Sequence, residues 1–274
     1  MNYKISVLMS IYIKENPLHF DRAMKSIYDE QFLKPDEIVL VLDGNLTNEL
    51  YKMIEFWQNK LLNILKIIQL EKNEGTGVAK NIGLKNCSYE FIAIMDTDDI
   101  SLPDRLEKQI KNFQENKEID VCSAFIGEFD FNENNIISYR KLPEKHEEII
   151  KFAKSRSPFN HPVTMFKKSI VEKAGGYQHM FWLEDYYLAI RMIINGAKFY
   201  NIQECLLKAR IGNGLLLRRS GLKYVKAELI FLNELKKIKY LTNLEYYKNI
   251  LIRIPVRLLP KTLLKYVYKL LRNK

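Results

Sequence analysis

Two hydrophobic periods alternate through the first hundred residues, and that alternation limits the fold more than any other property of the chain. Strand-like runs occur at Ile5–Ile11, Glu37–Leu42, Leu65–Leu70 and Phe91–Met95. Between them, Phe20, Ala23, Met24 and Ile27 fall at helical spacing, Asn48–Leu61 reads as a helix, and Val78–Asn86 reads as a short helix after a turn at Gly75–Gly77. Strands alternating with helices imply an α/β fold with a mostly parallel sheet flanked by helices. Ligands bind such sheets beyond the carboxyl ends of the strands. Ser10, Asp43 and Asp96 all stand at those ends, so they are expected to converge.

The last of these opens Asp96-Thr97-Asp98-Asp99, three carboxylates in four residues directly after an apolar strand. A site so negative repels itself unless something positive enters it. A divalent cation shared with a phosphorylated substrate fits, because hard cations take oxygen ligands. A solvated turn is the plainer alternative.

Further along, Ser101 is expected to cap a helix with Pro103 in its first turn and Leu106, Ile110 and Phe113 on its apolar face. Residues 119–140 read as strands with a turn at Asn132–Asn135. Residues 144–156, 168–175 and Leu183–Asn195 read as helices, the last two stopped by Gly175-Gly176 and Asn195-Gly196.

Apolar residues make up 47% of the 274, ample for a core. The three cysteines, Cys87, Cys122 and Cys205, have no metal or redox spacing, which suits a reducing cytoplasm. The start lacks the pattern of a signal peptide, and no run approaches the ~18 apolar residues of a spanning helix. The net charge is +10, and residues 246–274 carry eight bases and no acid. The basicity therefore describes a tail and gives no reason to expect nucleic acid. At about 100° per residue, Lys261, Lys265, Lys269 and Arg272 share an arc of roughly 80°, opposite Leu263, Leu264, Val267, Leu270 and Leu271. Ile250–Leu259 precedes them as a second apolar-basic stretch. A basic amphipathic helix lies on anionic membranes; a helix packed on the domain with a solvated basic face is the alternative.

Other motifs are weaker alone. Gly75-Thr76-Gly77 has Lys80 where a dinucleotide loop needs its third glycine, which rejects a Rossmann cofactor site. Lys80 could instead approach a diphosphate. Glu184-Asp185 sits among Phe181, Trp182, Tyr186 and Tyr187. Desolvation there would raise a carboxylate pKa and make a better base, while acids at a helix N-terminus also favour the dipole; both readings stand. His161 within Asn160-His161-Pro162 is a loop histidine, and no zinc pattern exists. Arg210, Arg218 and Arg219 offer charge for phosphates or form an exposed patch.

Taken together the chain resembles family 2 glycosyltransferases of the GT-A fold, and most closely the bacterial amylovoran-type enzymes of O-antigen and exopolysaccharide synthesis. The matching landmarks are Ser6–Tyr12, Glu37–Gly44, Asn73–Gly83, Asp96–Ile100, Asn160–Pro162, Gly175–Tyr177 and Glu184–Tyr186, spread over residues 4–220. The resemblance implies a glycosyltransferase domain over 1–220, its nucleotide-binding half at 1–100 and its acceptor half at 101–220, with a helical membrane-associating extension at 221–274. It implies that Ser10, Ile11, Tyr12, Glu15, Asp43, Lys80, Asp96 and Thr97 hold a UDP-sugar. Asp98, with Asp96, would hold Mn²⁺ or Mg²⁺. Asp185 would be the general base, and Asn160, His161, Glu184, Arg210 and Arg218 would line the acceptor side. Lys80 replaces an arginine common in relatives, and no histidine follows His179 to serve as a late metal ligand.

The expected activity is inverting transfer of galactose or glucose from a UDP-sugar to a polyprenyl-diphosphate-linked N-acetylhexosamine, as a β-1,3 linkage, at the cytoplasmic face of the membrane. A nucleotidyltransferase is the enzymatic alternative, but Ile11–Glu15 stands where its Gly-rich basic loop belongs. An inactive membrane-docking module is the other, against which the intact Asp96, Asp98 and Asp185 argue.

Overall fold

The computed structural model describes residues 3–211 and 220–259. Strands β1 (Ile5–Ile11), β2 (Glu37–Leu42), β3 (Leu65–Gln69) and β4 (Phe91–Ile94) pair in parallel, in the order β3-β2-β1-β4. Helices α1 (Pro17–Met24), α2 (Asn48–Leu61) and α3 (Thr76–Asn86) connect them. This is the alternation expected from the sequence. Asn16 caps α1 by accepting from the Leu18 N–H at 2.8 Å, and Thr47 caps α2 by accepting from Leu50 at 3.3 Å. Helix α2 buries Leu50, Ile54, Trp57 and Leu61, a spacing that keeps one face on the sheet.

Beyond β4 the pairing changes. The sheet continues through β8 (Met165–Lys167), β6 (Val121–Phe129), β9 (Phe199–Arg210) and β5 (Ile100–Ser101), with β7 (Ser138–Arg140) on β6. The β4–β8, β8–β6, β6–β7 and β9–β5 pairs are antiparallel, whereas β6 and β9 run parallel. Ser101 is therefore a strand residue opposite Leu207, and not the cap expected for the next helix. That helix, α4, spans Arg105–Glu115 and starts after Asp104. Tertiary pairing with β9 outweighs the local capping signal, and the Ser101 N–H donates to Ser26 Oγ at 3.0 Å.

The remaining helices are α5 (His146–Ala153), α6 (Lys168–Lys173), α7 (Glu184–Ile194), α8 (Leu222–Lys237) and α9 (Asn243–Leu258). One core lies under α1, α2 and α4, and a second under α3, α6 and α7. A third joins α7 to the C-terminal helices: Tyr186, Tyr187 and Ile190 pack with Phe231, Leu232 and Leu235. Each such buried side chain contributes about 1.5–3 kcal/mol. The C-terminal helices thus pack on the helix that carries Glu184 and Asp185.

The charge of α9 is arranged differently from the expectation. Arg253 and Arg257 turn inward onto Glu228 of α8, which is fully buried, at 2.6 and 3.1 Å. Their charge is answered by an acid from outside 246–274, so the basic stretch is not uncompensated. The outward face is apolar instead. At about 100° per residue, Leu244, Tyr247, Leu251 and Leu258 fall within roughly 60°, and Leu244 and Leu251 are 80% and 74% exposed. The expected face of Lys261–Arg272 lies outside the described residues. Among the described residues no helix is long and apolar enough to cross a membrane.

Candidate active site

Register brings the expected strand ends together. Ser10 stands opposite Val41 and Leu8 opposite Ile94, the Asp43 N–H donates to the Ile11 carbonyl at 2.8 Å, and the Met95 N–H donates to Leu8 at 3.1 Å. Asp96 therefore leaves the sheet beside the ends of β1 and β2.

The three carboxylates of the loop have unequal environments. Asp96 is 40% exposed and lies 3.2 Å from the buried Lys80 ammonium. Burial pushes its pKa up, but Lys80, His161 and Arg105 outweigh that and hold it below the ordinary value, so Asp96 is ionised at neutral pH. Asp99 is buried, and burial with the charges of Asp98 and Asp96 drives its pKa well above the usual range. It accepts the Arg210 N–H at 2.9 Å, and Arg210 Nε donates to the Asp98 carbonyl at 3.1 Å. Asp98 is half-buried between them. Beneath the loop lies Arg105, fully buried, donating to the Ile94 carbonyl at 2.6 Å. Burial lowers its pKa to about 9, against the opposing pull of Asp99 and Asp96. It is the counter-charge that sequence reasoning missed. A lone arginine opening a helix gives no sign of burial; its place nine residues after Asp96 was the available signal.

Asp43 organises the neighbouring wall. Its carboxylate accepts from Asn73 Nδ2 at 3.1 Å and from the backbone N–H groups of Glu74 and Gly75 at 2.7 and 3.1 Å. Three acceptor positions thus go to the loop before α3. Gly44 follows at φ +86°, and a Cβ there would stand 2.7 Å from the Asn73 nitrogen, so only glycine fits. Ser10, Tyr12 and Glu15 are half-buried at the mouth, and Thr97 is buried in the acidic loop. The Ile11 side chain is in the core, so Ile11 can meet a ligand only through its backbone.

Lys80 also lies 3.4 Å from His161 Nδ1. An ammonium has no lone pair, so Nδ1 accepts and the ring proton sits on Nε2, aimed at Tyr177 Oη 2.8 Å away. Burial and Lys80 push His161 down to about 4 against the pull of Asp185 and Asp96. The imidazole is neutral at pH 7, and both carboxylate charges reach it. Asn160 is fully buried: its amide donates to the carbonyls of Ala124 and Arg140, and its backbone to Ser123 Oγ. Asn160 and His161, expected to line the acceptor side, brace β6 and Lys80 from within. Tyr177 is held by Asn81, which accepts its N–H at 2.7 Å; a Cβ on the adjacent Gly176, at φ +65°, would collide with Asn81 Oδ1 at 2.5 Å.

The first turn of α7 presents Glu184 and Asp185, both half-buried. Burial and the neighbouring Asp185 raise the pKa of Glu184. Glu184 faces the first turn of α3: its Cγ would stand 3.6 Å from a Cβ on Gly77. Asp185 opens instead into a cleft of about 1030 Å³ that runs between α5 and α9. Trp182, at φ +65°, lines the same cleft and stacks on Tyr224 of α8 at 5.4 Å. A non-glycine residue in that region carries strain, which here is held by the stacking. Arg210 belongs to the acidic loop and not to the acceptor side; Arg218 lies outside the described residues.

Among the described residues no three His, Cys, Asp or Glu side chains cluster as a complete metal shell. The oxygen donors of Asp96 and Asp98 do suit a hard cation that completes its shell with phosphate and water.

The sequence profile described as Glycosyl transferase family 2 matches residues 6–175. The chain is 38% identical, over 97% of its own length and 95% of the relative's, to an Escherichia coli UDP-Gal:alpha-D-GlcNAc-diphosphoundecaprenol beta-1,3-galactosyltransferase. It is 37% identical to the amylovoran biosynthesis glycosyltransferase AmsE of Erwinia amylovora, over 96% and 97%. Among solved structures, a Pyrobaculum calidifontis mannosyltransferase in complex with GDP-Man and Mn²⁺ matches all of this chain and 82% of its own, at TM-score 0.67 and 15% identity. Staphylococcus aureus TarS matches 93% of this chain at TM-score 0.62 and 20% identity; this chain spans 43% of TarS. A profile match over more than half the sequence, two near full-length relatives and a sheet that breaks its parallel order after the strand leading into the acidic loop agree: the chain belongs to glycosyl transferase family 2.

Proposed function

We propose that the protein transfers galactose, with inversion, from UDP-galactose to an N-acetylglucosamine carried on a polyprenyl diphosphate, forming a β-1,3 linkage. The observation that carries this reading is the position of Asp185. It lies between a charged donor loop and a wide cleft, and its charge is felt at the same imidazole as that of Asp96. Full-length likeness to the Escherichia coli galactosyltransferase supports the choice of donor and acceptor.

In this reading the donor diphosphate sits at Asp96, Asp98 and Lys80, and the nucleoside lies against Ser10–Tyr12, Glu15 and the wall shaped by Asp43. Asp98, with Asp96, would hold Mn²⁺ or Mg²⁺. When bound, such a cation stabilises the negative charge that gathers on the leaving diphosphate. Lys80, fixed by His161, supplies a second positive charge to the same oxygens. Asp185 accepts the proton of the acceptor hydroxyl as it attacks the anomeric carbon. A placed carboxylate base contributes about 10²–10⁴-fold. One displacement with inversion needs only this base and the diphosphate as leaving group, and is the simplest chemistry. The outward apolar stripe of α9, flanked by Lys248, lies against an anionic membrane, where a lipid-linked acceptor is presented. The test is a donor screen with the purified protein, Mn²⁺ and a synthetic GlcNAc-diphosphate lipid, with NMR of the new anomeric linkage. A product from another sugar, or an α linkage, overturns the assignment.

A further inference from the structure

The cleft that opens from Asp185 has a lining that transfer at Asp185 alone does not require. Beside Asp185 and Trp182 it is lined by Ile252 and Val256 of α9. Much of the rest is basic. Arg253 and Arg257 are tied to Glu228. Lys151, Arg156 and Lys248 are exposed and form no ion pair among the described residues, and the acids lining the cleft are Asp185 and Glu245. Glu245 is itself engaged, closing the capping box of α9 with Thr242. A cleft lined by a carboxylate, unpaired cations and aliphatic side chains fits an amphiphile with an anionic waist.

We infer that this cleft seats the diphosphate and first isoprene units of the acceptor, with Arg156 and Lys248 holding the diphosphate and Ile252 and Val256 bedding the prenyl chain. The inference rests on the acceptor class proposed above. Arg156 offers a planar fork that matches phosphate oxygens, and Lys248 a mobile point charge. Ile252 lies about 80° round α9 from Leu244, between the cleft and the outward stripe. A chain leaving the cleft past Ile252 therefore reaches the apolar surface of Leu244, Leu251 and Leu258 beside Lys248, which stands about 40° from Leu244. The volume of about 1030 Å³ exceeds that of most single-ligand pockets and suits a sugar, a diphosphate and a short prenyl segment together.

The test reads binding apart from transfer. Trp182 lines the cleft, whereas Trp57 is fully buried beneath α2, so tryptophan fluorescence reports on the cleft. The full chain is titrated with farnesyl diphosphate in EDTA, which removes any cation that could hold a diphosphate at the acidic loop. Saturable binding is expected, about tenfold weaker in Arg156→Gln and in Lys248→Gln and weaker again in the double variant, with Lys52→Gln on α2 unchanged. Farnesol is expected to bind at least tenfold more weakly than its diphosphate. Absence of saturable binding, equal affinity of the double variant, or equal affinity for farnesol overturns the inference. The two readings separate cleanly. A protein that binds farnesyl diphosphate through these cations yet transfers no galactose loses only the proposed function. One whose double variant transfers galactose to the lipid acceptor with unchanged KM loses only the cleft assignment.

Discussion

Glu228→Gln tests how the C-terminal helices are held to the enzyme. The Glu228 carboxylate is fully buried and accepts from Arg253 Nε and Nη2 at 3.0 and 2.6 Å, and from Arg257 Nε and Nη2 at 3.2 and 3.1 Å. Glutamine keeps the shape and removes the charge, leaving two guanidinium groups that are only 13% and 14% exposed. Breaking a buried pair by removing one partner costs about 3–5 kcal/mol. Part of the support survives: Arg253 still donates to the Ser155 carbonyl, and Arg257 still lies 4.7 Å over the Tyr224 ring. The lower end, about 3 kcal/mol, is therefore expected, or a loss of about 6–12 °C in Tm for a chain of this size. The effect carries a pH signature. Burial raises the Glu228 pKa, but Arg253 and Arg257 more than reverse this, so the folded value is depressed. A depressed carboxylate contributes fully above its unfolded value of about 4.3 and loses that contribution as pH falls through the folded one. Thermal melts of wild type and variant should differ most at pH 7 and converge below about pH 4. A gap under 2 °C at pH 7, or one that persists undiminished at pH 3, refutes the argument.

Three further outcomes follow from the site. Asp185→Asn is expected to leave UDP affinity unchanged in calorimetry while lowering transfer by about 10²–10⁴-fold, and near-normal turnover would remove Asp185 as base. Mn²⁺ is expected to tighten UDP binding in the wild type but not in Asp98→Ala; an equal metal increment in both would move the cation elsewhere. The pair Leu244→Glu and Leu251→Glu, which places two acids on an outward apolar face, should release the protein from anionic vesicles in sedimentation, and continued sedimentation would assign membrane contact to another surface.

Local chemistry was legible in the sequence wherever it agreed with tertiary structure. Helix α2 begins and ends at the residues its pattern predicts, because the Thr47 cap and the buried Leu50, Ile54, Trp57 and Leu61 point the same way. The acidic loop and its neighbours Ser10 and Asp43 were legible for a topological reason: parallel strands put their carboxyl ends on one edge. What escaped notice depends on long-range partners. Ser101 looks like a cap until β9 pairs with it. Strand β9 itself is masked by Gln203, Glu204 and Lys208, which interrupt its apolar run. Arg210 reaches the acidic loop from more than a hundred residues away, and Arg105 goes under it. In α9 the periodicity reveals two faces without saying which is outward. Glu228, on the preceding helix, decides that by drawing Arg253 and Arg257 inward.

The same dependence on surroundings explains why four carboxylates near one site do not share a role. Burial beside Asp98 and Asp96 drives the pKa of Asp99 well above the usual range, and Asp99 serves as an anchor for the end of β9. Asp96 keeps its charge because Lys80 and Arg105 stand beside and beneath it. His161 meets the buried Lys80 with a lone pair, and has that lone pair because its own proton is directed to Tyr177. Were His161 to protonate, Lys80 would face a second cation at 3.4 Å and the support of Asp96 would fail. A pKa of about 4 keeps that event far from neutral pH. Asp185 lines the cleft instead: its charge reaches His161, but it forms no ion pair with Lys80, which holds Asp96. Under the proposed function, a donor loop fixed by buried cations and a base facing an open cleft are what one-step transfer between two large substrates requires.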